Sequence, residues 1–205
     1  MRTPVDLLYN FHWIESGKAA RAAQAYAGFL GPFLRARGIR AVINLRGNNP
    51  GYSWWRYETR ICAQIGVAHR DVKLNSRQLP TREMLLDLLR AFDDASRPFL
   101  LKFSGGQDRT SFAAALFLLH THGIAAHALA EGQFSAWPYL HLPGPHQRWL
   151  KLFVPFASEQ ATGRTLRDWL EADYSAQTFK AWLEGRGQGN AFRGLYNVPG
   201  TIKGR

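Results

Sequence analysis

One stretch restricts the fold of this chain more than any other. Residues 98–123 read PFLLKFSGGQDRTSFAAALFLLHTHG. The run from Pro98 to Phe103 is almost wholly apolar, as expected of a strand covered on both faces. Gly105 and Gly106 then allow a close turn of the backbone. Asp108, Arg109 and Thr110 open a second apolar run, which predicts a helix from Asp108 to His122 ended by Gly123. A buried strand that passes through a short loop into a buried helix needs layers on both sides of a sheet. The helix would also direct its free N–H groups and positive end into the loop, which makes the loop an anion site. Arg109 has the fork to clamp an anion with two bonds, and Thr110 the hydroxyl to brace the loop.

The rest of the chain fits an α/β architecture, with strands and helices alternating. Ser16-Gly17 predicts a short hairpin turn. AYAGFLGPFLRARG reads as helical up to Gly38, with Pro32 starting a second piece. Ile39 to Leu45 is a β-branched strand closed by Gly47. WWRYETRICAQIG sets Trp54, Tyr57/Glu58, Ile61 and Ile65 at helical spacing. Cys62 on this helix is expected to be a small core or boundary residue. VAHRDVKL reads as a strand, and Thr81 as the cap of the helix REMLLDLLRAFDDAS. Four further helices are expected in AAHALAEGQF, HQRWLKLFVPFASEQ, TLRDWLEADY and AQTFKAWLEG. The organisation is one domain over 1–185 and a Gly-rich, basic, exposed tail over 186–205, with no internal repeat.

Composition bounds the function. Of 205 residues 46% are hydrophobic, enough for a real core. No apolar run reaches the length of a membrane span. Pro4 and Asp6 interrupt the N-terminal segment where a signal peptide needs an apolar stretch, so a cytoplasmic location is expected. A single cysteine, Cys62, excludes an internal disulfide and a multi-cysteine metal site. The seven histidines have no metal-ligand spacing, so no metal and no cofactor are expected. The net charge of +11 favours anionic partners, among them phosphates, nucleic acid and acidic membrane. The basic residues are scattered rather than clustered in an arm, and a merely soluble basic surface fits them as well.

KFSGGQDRTSFAAALFLL resembles the signature of cysteine-dependent tyrosine and dual-specificity phosphatases: His-Cys, five residues, Arg, then Ser or Thr. Its Asp-Arg-Thr form is similar to the bacterial and lipid-phosphatase branches. GKAARAAQ resembles a segment near the start of bacterial members, and GIRAVINLRG their strand ending in Leu-Arg. FKAWLEG and LRDWLEADY resemble C-terminal helices of an alphaproteobacterial branch. The resemblance spans about residues 10–184. It implies a phosphatase-like, mostly parallel central sheet flanked by helices, with a helical C-terminal part.

Carried over residue by residue, the resemblance makes Arg109 the phosphate clamp and Thr110 the loop-stabilising hydroxyl. Gly106 matches the central glycine and Asp108 the aspartate of Asp-Arg-Thr. The phosphate-binding set is then Ser104, Gly105, Gly106, Gln107, Asp108, Arg109 and Thr110. Two positions depart from the pattern. Phe103 stands at the nucleophilic cysteine and Lys102 at the histidine. Phenylalanine has no lone pair with which to attack phosphorus, and its ring is expected on the floor of the cradle. Asp71, by position, and Asp108 are the candidate acids; for Asp71 a strand-end or capping role is equally open. Ser104 and Cys62 are weaker candidate nucleophiles. Trp137 is a candidate to line a cleft. The reading is an inactive or impaired phosphatase-like protein that binds a phosphorylated protein, lipid or sugar, or a partner phosphatase. The alternatives are an active phosphatase with a rearranged site and a basic adaptor for nucleic acid or acidic membrane.

Overall fold

The structure is a computed structural model that describes residues 3–26 and 28–192. Its centre is a five-stranded sheet in the order β1-β2-β5-β3-β4. The strands are β1 (His12–Glu15), β2 (Ala19–Ala22), β3 (Ala41–Asn44), β4 (Ala68–Asp71) and β5 (Phe99–Lys102). The hairpin predicted at Ser16-Gly17 joins β1 to β2 antiparallel. The remaining pairs, β2 with β5, β5 with β3 and β3 with β4, are parallel. The sheet is mostly parallel, as expected.

Both faces are covered, and alternation along the strands divides the side chains between two cores. Phe99 and Leu101 of β5 join Ala41 and Ile43 of β3 in the larger core. Leu100 and Val42 join Ala20, Ala22 and Cys62 on the opposite face. The smaller core is closed by α2 (Leu30–Ala36) and α3 (Ser53–Gln64), which supply Phe33, Leu34 and Cys62. The larger core holds α4 (Arg82–Asp94), capped by Thr81, and α5 (Asp108–His122). Thr110 through Leu119 of α5 are all buried, because this helix has the sheet on one side and helices on the other. Those helices are α6 (His127–Gly132), α8 (Trp149–Gln160) and α9 (Leu166–Ala172), with α10 (Ala176–Gly185) packed on α8. They pack through aromatic rings, with Phe112 of α5 lying 5.3 Å from both Trp149 and Phe153. The one-turn α7 (Ala136–Tyr139) lies between α6 and α8.

Four local expectations are corrected. An additional helix, α1 (Pro4–Leu8), stands before β1, because Thr3 and Asp6 form a reciprocal capping box and Pro4 suits the first turn. Helix α2 begins at Leu30, not in the preceding residues, where Gly28 takes a left-handed φ of +82°. The segment 124–133 divides into a 3-10 turn, Ile124–Ala126, and the short α6. In the segment expected as an exposed tail, Gly189–Ala191 forms a 3-10 turn, and Ala191 and Phe192 are buried against the larger core. The rest of that segment, 193–205, lies outside the described residues.

Candidate functional site

Register places the site. Asn44, Asp71 and Lys102 end three neighbouring parallel strands and sit side by side, Asn44 opposite both Asp71 and Lys102. Ala22, the last residue of β2, is opposite Lys102 on the other side. The loop 103–107 leaves from this edge, where parallel sheets place ligands.

The loop is held by groups from outside it. Gly106 has φ +62°, and a Cβ there would come within 2.5 Å of the Ala23 backbone nitrogen. Only glycine fits both the dihedral and the space. The Gly106 carbonyl accepts from Asn10 Nδ2 at 2.9 Å and from Arg21 Nη2 at 3.2 Å. Arg21 is fully buried, and its guanidinium also donates to the carbonyls of Gln107 and Gln133 and to the hydroxyls of Thr110 and Ser111. Tyr139 lies 4.5 Å beneath its charge. Burial brings the Arg21 pKa down to about 9. This cation is therefore solvated by carbonyls and hydroxyls, and it ties β2 to the start of α5. Thr110 Oγ1 donates to the Gln107 carbonyl at 2.9 Å.

Phe103 follows the last residue of β5, and its ring lies 4.2 Å from the centre of the Arg109 guanidinium, a cation–π contact. Arg109 Nε is buried with no hydrogen-bond partner. Burial, then the charges of Arg46 and Arg77, lower the Arg109 pKa to about 10, although Asp108 opposes the shift. Arg46 packs on the Trp54 ring at 3.5 Å. Among the described residues, no carboxylate pairs with Arg46, Arg77 or Arg109. Arg46 and Arg77 thus add positive charge around Arg109, and Asp108 is the carboxylate that partly offsets it. Ser104 and Gly105 are exposed on it, and Gln107 is half-buried.

Below the loop, Lys102 is nearly inaccessible, with its ammonium 2.8 Å from Glu58 Oε1. It also donates to Gln24 Oε1 at 2.7 Å and Asn44 Oδ1 at 2.9 Å. Gln24 in turn donates to Glu58 Oε2 at 2.7 Å, and His69 Nε2 lies 2.9 Å from Glu58 Oε1. Burial alone would raise the Glu58 carboxyl, but the bonds to His69 and Lys102 and the Lys102 charge hold it below its ordinary 4.5. Burial lowers the Lys102 pKa, against the pull of Glu58. Lys102 thus belongs to a closed, buried network.

The candidate acids are both engaged. Asp71 accepts from Asn44 Nδ2 at 2.6 Å on one oxygen and from Trp55 Nε1 at 2.9 Å on the other. Asp108, the first residue of α5, accepts from Gln147 Nε2 at 3.1 Å and lies 3.3 Å from His141 Nδ1. Cys62 is buried on α3 in the smaller core, and burial, with the Glu58 charge, raises its thiol to about 12. It is remote in kind from an activated thiolate. Among the described residues no group of three or more His, Cys, Asp or Glu side chains could hold a metal ion. Trp137 is three-quarters exposed.

Several members of the site have no role in the sequence analysis: Asn10, Arg21, Gln24, Arg46, Glu58 and Arg77. Three of them lie in segments whose resemblance was visible, Arg21 and Gln24 in GKAARAAQ and Arg46 in the strand-ending Leu-Arg. Glu58 had a different signal, a carboxylate on the apolar face of a helix.

No protein-family model matches the chain, and no curated protein does. Solved structures do match. TpbA of P. aeruginosa aligns with a TM-score of 0.59 at 16% identity, over 83% of this chain and 94% of that one. Tk-PTP in its active form aligns at 0.54 and 18% identity, over 73% and 95%. The core catalytic domain of the PP-IP phosphatase SIW14 from S. cerevisiae aligns at 0.54 and 12%, over 87% and 93%. The fold is that of the tyrosine and dual-specificity-type phosphatases.

Proposed function

We propose that this chain is a phosphatase-like protein without cysteine chemistry, which uses the 103–110 loop to hold a phosphate-bearing ligand. The observation that carries the reading is the Phe103–Arg109 contact. An aromatic ring occupies the head of the loop, and the guanidinium stacked on it keeps a buried, unpartnered Nε within the field of Arg46 and Arg77. A ring cannot form a phosphoenzyme, whereas the arginines remain suited to phosphate oxygens. Both oxygens of Asp71 accept hydrogen bonds, from Asn44 and Trp55, and one oxygen of Asp108 accepts from Gln147. The ligand class in this reading is a phosphorylated protein, lipid or sugar, held without turnover.

The test has two arms. Hydrolysis of an aryl phosphate by the purified native protein should stay at the level of buffer and be indifferent to thiol reagents. A charge-assisted bond contributes about 1.5–3 kcal/mol, so Arg109→Ala should weaken inorganic phosphate binding roughly 10- to 150-fold in titration calorimetry. Thiol-dependent, vanadate-sensitive turnover would refute the first arm. Equal phosphate affinities would refute the second.

A further inference from the structure

The segment that follows α6 alternates in a way that the core does not require. Tyr139 and His141 point inward: Tyr139 lies under the Arg21 guanidinium at 4.5 Å, and His141 is buried, 3.3 Å from Asp108. Their neighbours point outward and are apolar. Trp137 is 75% exposed, Leu142 77% and Leu140 41%. Leu140 sits in the left-handed region at φ +55°, an uncommon conformation for a leucine. The segment is not a loose loop, because Asn10 Nδ2 binds both the Tyr139 carbonyl, at 3.1 Å, and the Gly106 carbonyl, at 2.9 Å. Asn10 itself follows α1, where Leu7 and Leu8 are 60% and 71% exposed.

Single exposed leucines are ordinary, but a tryptophan and two leucines projected from six anchored residues are a feature to explain. Trp favours the membrane–water interface, and leucine favours the acyl boundary beneath it. The chain carries a net charge of +11. Among the described residues no carboxylate pairs directly with Arg46 or Arg77, which add charge at the loop that Asn10 and His141 join to this segment. Nucleic acid would complement the charge but offers nothing to exposed leucine side chains. A bilayer with acidic headgroups complements both.

From this combination we infer that residues 137–142 form a docking surface for an anionic lipid bilayer. The apolar side chains enter the interface, and the basic protein is drawn to it by charge. This surface is separate from the phosphate cradle and does not depend on the cradle's being occupied.

Co-sedimentation with vesicles tests the inference, using phosphatidylcholine alone and phosphatidylcholine with about one third phosphatidylglycerol. The native protein should bind the acidic vesicles and release in high salt, with little binding to phosphatidylcholine alone. Trp137→Ser combined with Leu142→Ser should weaken binding to the acidic vesicles roughly tenfold or more. Both side chains are exposed, so the melting temperature should stay within a degree or so of native. Arg109→Ala should lose only about fivefold, the effect of one charge near the surface. Unchanged binding in the double variant would overturn the proposal. So would strong loss in Arg109→Ala with no loss in the double variant, which would assign lipid capture to the cradle instead. Binding to duplex DNA with none to acidic vesicles would also overturn it. Failure of these arms leaves the phosphate titration untouched, and the reverse holds equally.

Discussion

Replacing Glu58 by Gln tests the physical logic of the buried network. Glu58 and Lys102 are both essentially inaccessible, and the carboxylate accepts from Lys102 and Gln24, with His69 beside it. Glutamine keeps the shape and loses one acceptor oxygen and the charge. Its amide N–H₂ must then face either the Lys102 ammonium or the Gln24 amide, two donors where two acceptors stood. Removing one partner of a buried ion pair costs about 3–5 kcal/mol. Lys102 retains the acceptors Gln24 Oε1 and Asn44 Oδ1, so the lower end, about 3 kcal/mol, is expected. Lys102→Met combined with Glu58→Gln removes both charges, and its cost should fall below the sum of the two single changes by about 2 kcal/mol. Urea unfolding at neutral pH measures all three variants. The pH dependence adds a second check. The folded Glu58 pKa lies below its ordinary 4.5, so its contribution is complete above that pH and is lost as pH falls through the folded value. Glu58→Gln should therefore flatten the acid side of the stability profile below about pH 4.5. A single change costing under about 1 kcal/mol, or a strictly additive double variant, would refute the ion-pair account.

Three further outcomes follow from the same geometry. Gly106→Ala should cost roughly 3 kcal/mol or more by urea unfolding, because its Cβ meets backbone atoms of Ala22 and Ala23 at a positive φ; a cost under about 1 kcal/mol would mean that the loop can shift freely. Phe103→Cys should destabilise the protein by about 1–2 kcal/mol, since a half-buried ring and its stack on Arg109 are lost. In melting curves over a phosphate series this variant should gain more from phosphate than the native protein, and an equal gain would show that the ring does not obstruct the anion. Cys62, buried and with its thiol raised to about 12, should resist iodoacetamide in the native state at mildly alkaline pH and react only on unfolding; rapid native-state alkylation would contradict its place in the core.

The strand–loop–helix of 98–123 was legible in the sequence because its signals are local. Apolar continuity, paired glycines and a terminating Gly123 set β5, the loop and α5 with ends at Asp108 and His122. Thr81 announced α4 for the same reason, since a cap acts over three residues. The parallel sheet followed from strands alternating with helices. The signature also drew attention to Phe103 and Arg109, whose contact appears only in the folded chain. What lies around them was decided by tertiary structure. Register alone brings Asn44, Asp71 and Lys102 to one edge from three distant strands. The fold closes Lys102 onto Glu58 of α3, 44 residues away in the chain (102 − 58), and onto Gln24 beyond β2. A buried lysine needs a carboxylate and acceptors, but one-dimensional order does not say which residues supply them. Arg21 makes the same point. As one arginine among many on a basic chain it looks like surface charge, yet packing under α5 makes it the buried cation that holds the carbonyls of Gly106 and Gln107. Local sequence specifies which conformation a segment prefers. Which polar groups must satisfy one another in the interior is specified only when distant segments are packed together.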